Sequence, residues 1–270
     1  MHDNILLFIP CYNCAPQVKR VLARCSAAAS EGIAEILLLD NGSSDGTVEA
    51  AVAAAPEAGA PRVTIGRNRA NFGLGGSHKA AFAYAERNGF THVITLHGDD
   101  QGDLADLSPI LHAGEHRRQD ACLGARFAPG ARLQGYSRFR IFGNHVFNAL
   151  FSALAMRRIH DLGSGLNIVG RSVFADPAVL RHSDDLRFNI YLLLTMIDAG
   201  RRLSFFPISW REDDQVSNVR MASQAMKTLE IAGEYLLRRK RFREADHREV
   251  RRADYGFDVV AAFEKGVRDA

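Results

Sequence analysis

The chain has 270 residues, 47% of them hydrophobic, and a formal net charge of +3. This is the profile of an ordinary soluble globular protein, long enough for one substantial domain or two small ones. The net charge is too small to argue for a nucleic-acid partner, and none is expected. No run reaches the roughly 18 to 20 apolar residues of a membrane span.

The N-terminal "ILLFIP" is short and has no basic region before it, so no secretory signal is expected. A cytoplasmic location follows, with the chain either free or peripheral on the inner face of the membrane. Charge is uneven, however: the stretch Arg238–Arg252 is basic, headed by "RRKRFR". It reads either as a solvated helix end or as a patch for a phosphate-rich partner or an anionic membrane surface.

In chain order, the first 126 residues alternate short apolar runs with helical patterns, which predicts a parallel sheet built from βα units. Strands are predicted at Ile5–Pro10, Ala34–Asp40, Arg62–Gly66, Thr91–Leu96 and Ala121–Ala125. Helices are predicted between them at Pro16–Ala29, Thr47–Ala54, Ser77–Asn88 and Leu104–His112. Beyond residue 130 the pattern predicts an apolar helix over Phe139–Met156, a helix near Ile190–Ala199 and a strand in "LSFFPISW". An amphipathic helix follows from about Val219 to Leu237. The closing "RADYGFDVVAAFEKGVRDA" reads as a docked helix or a loose tail. These segments divide into residues 1–215, with a nucleotide-binding half (1–126) and an acceptor half (127–215), and a helical extension over 216–270.

In an open parallel sheet, ligands bind outside the carboxyl ends of the strands. Here those ends carry "PCYN", "DNGSSDGT", "GRNRANFGLGG", "HGDDQ" and "ARF", all polar or glycine-rich. This nominates Pro10, Tyr12, Asn13, Asp40, Asn71, Gly73, His97, Gly98 and Asp99 for a nucleotide. Asp40 can accept hydrogen bonds from a base or ribose, while Ser44 and Asp45 suit the turn and the helix cap. "NFGLGGSHKAA" fails as GxGxxG, because its third glycine position is His78, and it is not a Walker loop. Its glycines would let backbone lie close to a nucleotide, with His78 or Lys79 near the phosphates at a helix start.

In "LHGDDQGD", Asp99 and Gln101 lie on one side of an extended chain and offer two oxygen donors. A hard divalent cation, Mg2+ or Mn2+, bridging diphosphate oxygens would want such donors. Asp100 then faces the other way and Asp103 reads as a cap for the next helix. Cys11 and Cys14 form a CxxC, but no second pair completes a zinc set. Buried thiols in a reducing compartment are the expectation for these two, Cys25 and Cys122.

The ordered series "IPCYN", "LLLDNGSSDGT", "NFGLGGSHKAA", "LHGDDQGDL", "GARF", "DLGSGLN" and "FFPISWREDDQVSN" resembles the family-2 glycosyltransferases of GT-A fold, from about residue 4 to 220. The polyprenyl-phosphate (dolichyl-phosphate) mannose or glucose synthase branch is the one it resembles most. The resemblance implies a Rossmann-like, mostly parallel sheet flanked by helices, with a C-terminal helical extension. It implies nucleoside contact at Asp40 and a metal–diphosphate role for Asp99 and Gln101, with His97 where the family's first DxD aspartate stands. It places Arg126 and Arg140 near the phosphates, and Asp161, Ser164 and Asn167 near the donor sugar or acceptor. The closing loop carries Arg211 and Ser217. Asn41 replaces the second aspartate of the usual "DDGS", and Gln215 and Asn218 replace the glycine and lysine usual in the last loop.

The implied reaction is a single-displacement, inverting transfer from a UDP- or GDP-sugar. A polyprenyl phosphate acceptor is already an anionic nucleophile and needs no base. A saccharide or other hydroxyl acceptor would require one, and "SDDL" supplies Asp184 or Asp185, which otherwise read as a solvated helix N-terminus. The competing readings are a nucleotide-sugar-binding protein without catalysis, kept open by His97, and an oxidoreductase that would bind NAD(P).

Overall fold

A computed structural model describes residues 3–25, 32–212 and 221–265. The N-terminal half is a βα succession: β1 (Ile5–Cys11), α1 (Ala15–Arg24), β2 (Ile33–Asp40), α2 (Thr47–Ala54), β3 (Arg62–Asn68), α3 (Gly73–Arg87) and β4 (His92–Leu96). After it come α4 (Ser108–His112), α5 (Glu115–Arg118), β5 (Ala121–Ala125), β6 (Arg132–Gln134), α6 (Arg138–Ala155), β7 (Leu166–Gly170) and α7 (Arg171–Phe174). The chain continues through α8 (Phe188–Asp198), β8 (Leu203–Pro207), β9 (Ser209–Arg211), α9 (Met221–Leu237), α10 (Arg239–Glu244) and β10 (Phe257–Glu264).

Eight of the strands form one sheet in the order β10-β3-β2-β1-β4-β7-β5-β8; β6 and β9 pair separately. The strands β3, β2, β1 and β4 run parallel, β7 is antiparallel to both its neighbours, and β5 and β8 are parallel. The result is a mostly parallel, helix-flanked α/β sheet of GT-A type. All seven residues of β1 are buried, as expected of a strand covered on both faces. Ile5, Leu7 and Ile9 join the core with α1, α2 and α4, while Leu6 and Phe8 join the core with α3, α8 and α9. From β1 the chain turns outward through β2 and β3 and then returns to lay β4 on the other side. The crevice above β1 and β4 is therefore the topological switch point at which such sheets bind ligands.

The structure departs from the sequence expectations in several elements: β6 and β7 have no counterpart among the predicted strands, and β7 lies antiparallel between β4 and β5. "LSFFPISW" is two strands, because the chain leaves the main sheet at Pro207 and β9 pairs with β6. Over its described residues the C-terminal tail holds a strand rather than a helix: helices α9 and α10 form the extension, and β10 then adds antiparallel to β3 at the sheet edge. A bulge between Val259 and Ala261 changes which face the strand presents. Phe257 packs on one core and Ala261 and Phe263 on the other.

Candidate active site

The carboxyl ends of β1, β2 and β4 converge. The Gly98 N–H donates to the Pro10 carbonyl (3.1 Å) and the Asn41 N–H to that of Cys11 (2.9 Å). A Cβ on Gly98 would lie 2.4 Å from the Cys11 sulfur, so only glycine lets β4 leave the sheet so close to β1. Cys11 and Cys14 are buried, and burial pushes the Cys11 thiol up, with Cys14 next in effect. They are packing residues.

Above this floor, Tyr12 is exposed. Asn13, in left-handed conformation (φ 49°), ties the β1 loop to the β2 loop. Its N–H donates to Ser43 Oγ (2.8 Å) and its side-chain oxygen accepts from the Ser44 N–H (3.0 Å). Asp40 is fully buried and accepts from the N–H groups of Gly42 and Ser43 and from Arg67 Nε (3.3 Å). Arg67 had no signal in the sequence.

Asn41 is a hub. Its amide nitrogen donates to Asn71 Oδ1 (2.9 Å), and its oxygen accepts from Asn68 Nδ2 (3.0 Å) and the Phe72 N–H (2.8 Å). An aspartate could not donate to Asn71, which accounts for asparagine where "DDGS" is usual. Asn71 also accepts from the Gly73 N–H (3.0 Å) and so shapes its own turn.

The three aspartates after β4 separate. Asp103 caps the following turn through the Ala105 N–H (3.0 Å). Asp100, at φ 61° and 1% exposed, turns away from the crevice into three guanidinium groups: Arg20 (2.7 Å) and Arg24 (2.8 Å) of α1, and Arg211 (2.6 Å) of β9. Arg211, expected beside the acceptor or sugar, is thus tied to Asp100. Asp99 accepts from the Gln101 N–H (3.2 Å). Burial pushes its carboxyl up to about 6, opposed by that N–H and aided by the charge of Asp100.

His97 is neutral: burial and then the Arg126 charge push it down to about 4. Its Nε2 is buried without a hydrogen-bond partner among the described residues. A carboxylate and a carboxamide are donor types that a hard divalent cation would accept.

Another group of titratable residues lies elsewhere. Asp3, His92 and His116 bring ligand atoms within 4.8 Å of one another. His92 begins β4, so the strand's five residues, at about 3.3 Å each, separate this group from His97. Asp3 is engaged by His116 (3.0 Å) and Arg117 (2.6 Å) and serves to hold α5 against the sheet.

Several expectations for "NFGLGGSHKAA" and "SDDL" are corrected together. His78 and Lys79 are buried, with the His78 ring against that of His97 (6.5 Å between centroids). Lys79 Nζ donates to Asp184 Oδ1 (2.6 Å) and to the His182 carbonyl (2.5 Å), while Tyr255 OH also donates to Asp184 (2.7 Å). Protein backbone lies against the glycines: a Cβ on Gly73 or Gly75 would lie 2.4 or 2.3 Å from the carbonyl oxygen of Asp184 or Ser183. Asp185 accepts from Ser183 Oγ, Arg187 and Lys227 Nζ. Burial opposes the ionised form, but the Arg187 hydrogen bonds outweigh it and hold the carboxyl at about 2. Both carboxylates are ion-pair partners, an arrangement that does not suit a general base.

Arg126 is partly buried and bidentate to Asp161 (both contacts 2.8 Å), with its guanidinium over Trp210 and Phe127. Arg140 pairs with Glu212 (2.6 Å). Asn167 and Ser164 bond to each other's loop and line a cavity of about 30 Å³ with His78, Thr95, Asp161 and Asn189. That volume holds a water rather than a sugar. Ser217, Gln215 and Asn218 lie outside the described residues.

The chain is 27% identical over 215 residues to polyprenol monophosphomannose synthase of Mycolicibacterium smegmatis, covering 78% of each. It is 29% identical over 226 residues to glycosyltransferase AglJ of Haloferax volcanii, covering 80% of this chain and 67% of that one. In fold it is similar to glucosyl-3-phosphoglycerate synthase from Mycobacterium tuberculosis, solved with Mn2+, uridine diphosphate and glucosyl-3-phosphoglycerate. The TM-score there is 0.62 at 16% identity, covering 87% and 80% of the two chains. The description "Glycosyl transferase family 2" matches residues 7–176, and the chain belongs to that family.

Proposed function

We propose that this glycosyltransferase moves a hexose from a UDP- or GDP-sugar to a polyprenyl phosphate, in one displacement that inverts the anomeric carbon. The observation that carries the reading is Asp99 at the switch point. It is a partly buried carboxylate on the β4 exit, facing a crevice walled by the Tyr12, Asn13 and Asp40 loops. The relative that acts on a polyprenol phosphate supports the acceptor. So does the commitment of Asp184 and Asp185 to ion pairs, because a phosphate nucleophile needs no base.

In this reading Asp99 and Gln101 would hold Mg2+ or Mn2+, which when bound would supply positive charge against the departing diphosphate. His97 contributes a neutral nitrogen to the same side, toward phosphate or ribose. Tyr12 and Arg67 stand at the crevice rim for the nucleoside. Arg126, locked to Asp161, keeps the "DLGSGLN" loop against β5. Arg140 is poised beside Glu212 and exchanges that carboxylate for a phosphate when substrate arrives.

The fold relatives solved with phosphoglyceric acid support a second acceptor class, a small phosphorylated hydroxyl compound. Transfer of labelled sugar from UDP- and GDP-sugars to detergent-solubilised polyprenyl phosphate, with Mn2+, tests the proposal. Product formation, reduced at least about a hundredfold in Asp99→Ala, is expected. Transfer to phosphoglyceric acid but not to the lipid would favour the second class, and no transfer or hydrolysis at all would favour a binding protein.

A further inference from the structure

The strand β9 has three residues, and all three hold the loop that carries Asp99 and Gln101. The chain leaves the main sheet at Pro207 to reach this place, and β6 pairs with β9. The Ser209 N–H and Oγ both donate to the Asp106 carboxylate. Trp210 forms an antiparallel bridge with Gly102. The Arg211 N–H donates to the Gln101 carbonyl (3.0 Å).

The side chain of Arg211 takes hold of the same loop again. Its Nε donates to the Asp100 carbonyl (3.0 Å) and its Nη2 pairs with Asp100 Oδ1 (2.6 Å). The residue between Asp99 and Gln101 is thus held by backbone and side chain together. Asp100 needs that hold, because it is a non-glycine residue at φ 61°, a conformation that persists where the surroundings enforce it. Arg20 and Arg24 pair with the same carboxylate from α1 (2.7 and 2.8 Å). A planar guanidinium fork meets a carbonyl and a carboxylate at once, whereas a lysine ammonium is a single point charge.

We infer that Arg211 is a positioning residue for the cation site: by gripping Asp100 and the Gln101 carbonyl it fixes how the Asp99 carboxylate and the Gln101 carboxamide are presented to a divalent cation. Residues that orient metal ligands in this way set metal affinity without touching the metal. The inference rests on the reading of Asp99 and Gln101 as the metal pair. A local reporter stands beside them. Trp210 is the chain's one tryptophan, and a Cβ on Gly165 would meet the His97 ring at 2.9 Å and Trp210 at 3.1 Å, which sets the indole next to His97.

The test is quenching of Trp210 fluorescence by the paramagnetic ion Mn2+, titrated into the full chain with UDP or GDP present and reversed with EDTA. All variants are measured well below their thermal midpoints. Quenching of the wild type should saturate and should be lost in Asp99→Asn. Arg211→Lys keeps the charge but loses the fork, and should need about tenfold more Mn2+ for half-quenching. Arg20→Gln removes an ion pair to the same carboxylate from the α1 side, and should stay within about twofold of the wild type. At saturating Mn2+, hydrolysis of nucleotide sugar by Arg211→Lys should return to within about threefold of the wild type, as expected when affinity for the ion is what was lost.

Equal half-quenching concentrations in the wild type and Arg211→Lys overturn the inference. So does a shift in Arg20→Gln as large as that in Arg211→Lys, which would assign the effect to the charge around Asp100 rather than to the hold of β9. In either case the loss of quenching in Asp99→Asn leaves the metal pair standing. Quenching that survives Asp99→Asn, or a wild type that Mn2+ does not quench, overturns the metal pair and the role of Arg211 together.

Discussion

Adjacent aspartates at the β4 exit do opposite work, and substitution separates them. Asp100 is buried under Arg20, Arg24 and Arg211, with its backbone held at positive φ. Asp100→Ala removes the only charge common to those three contacts. It should cost about 2–4 kcal/mol of stability, the range for breaking a buried pair discounted for the partial exposure of the arginines. A urea-denaturation midpoint measures this, and a change below about 0.5 kcal/mol would show the arginines do not depend on Asp100.

Asp99 carries the reverse sign. Its folded carboxyl titrates at about 6, above the ordinary 3.8, so its contribution to stability is present below pH 3.8 and lost as pH rises through 6. In EDTA at pH 7.5, Asp99→Asn should therefore raise stability by about 1–2 kcal/mol. The gain should vanish near pH 4, and metal-dependent hydrolysis should be abolished. Thermal melts of both proteins at pH 4 and 7.5 check the sign, and an unchanged or lowered midpoint at pH 7.5 counts against the buried carboxylate.

Among the elements, the edge strand β10 closes the sheet, and Gly66 of β3 reports on it. A Cβ at Gly66 would meet the Phe257 ring at 2.6 Å and Leu39 Cδ2 at 2.8 Å. Gly66→Ala should cost about 1–3 kcal/mol by overpacking. In a chain truncated after Arg252, half of that clash is gone and the cost should fall; equal costs in the two backgrounds would mean that β10 does not sit on β3.

This strand is also where the sequence misled, for a local physical reason. The bulge between Val259 and Ala261 breaks the two-residue alternation, and the segment's exposed valines look like no one-sided strand. Strands β1 to β5 were legible because parallel strands buried on both faces read as continuous apolar runs. The cap role of Asp103 was legible; Asp99 and Asp100 separate because the chain turns there, with Asp100 at φ 61°, and not through the period-two alternation of an extended chain that the sequence suggested. Illegible were the contacts made across long sequence separations. Lys79 meets Asp184 from 105 residues away, and Gly73 gives way to a carbonyl of the same loop. A lysine and glycines after a strand look like phosphate-binding residues until that partner is in place. Asn41 looked like a lost acid for the same reason, since its hydrogen bonds to Asn68, Asn71 and Phe72 exist only once β2, β3 and the next loop meet.

At the scale of the molecule, the crevice is assembled from loops that different elements hold. The Tyr12 and Asp40 loops belong to the N-terminal βα units, while the loop with Asp99 and Gln101 is clamped through Asp100 to α1 on one side and to β9 on the other. A nucleotide diphosphate sugar with its cation would touch all of them at once, so binding should stabilise the whole fold rather than one segment. At a ligand concentration about a hundredfold above Kd the gain is about 2.7 kcal/mol, which for a chain of this size is a rise of roughly 5–10 °C in Tm. Melting the protein with UDP-, GDP- and dTDP-sugars in Mn2+ should give that rise with one nucleotide and little with the others. EDTA should abolish it, as should Asp99→Asn, the variant that stabilises the free protein. If every nucleotide shifts Tm equally, or the shift survives EDTA, the site that binds them is not the one built on Asp99.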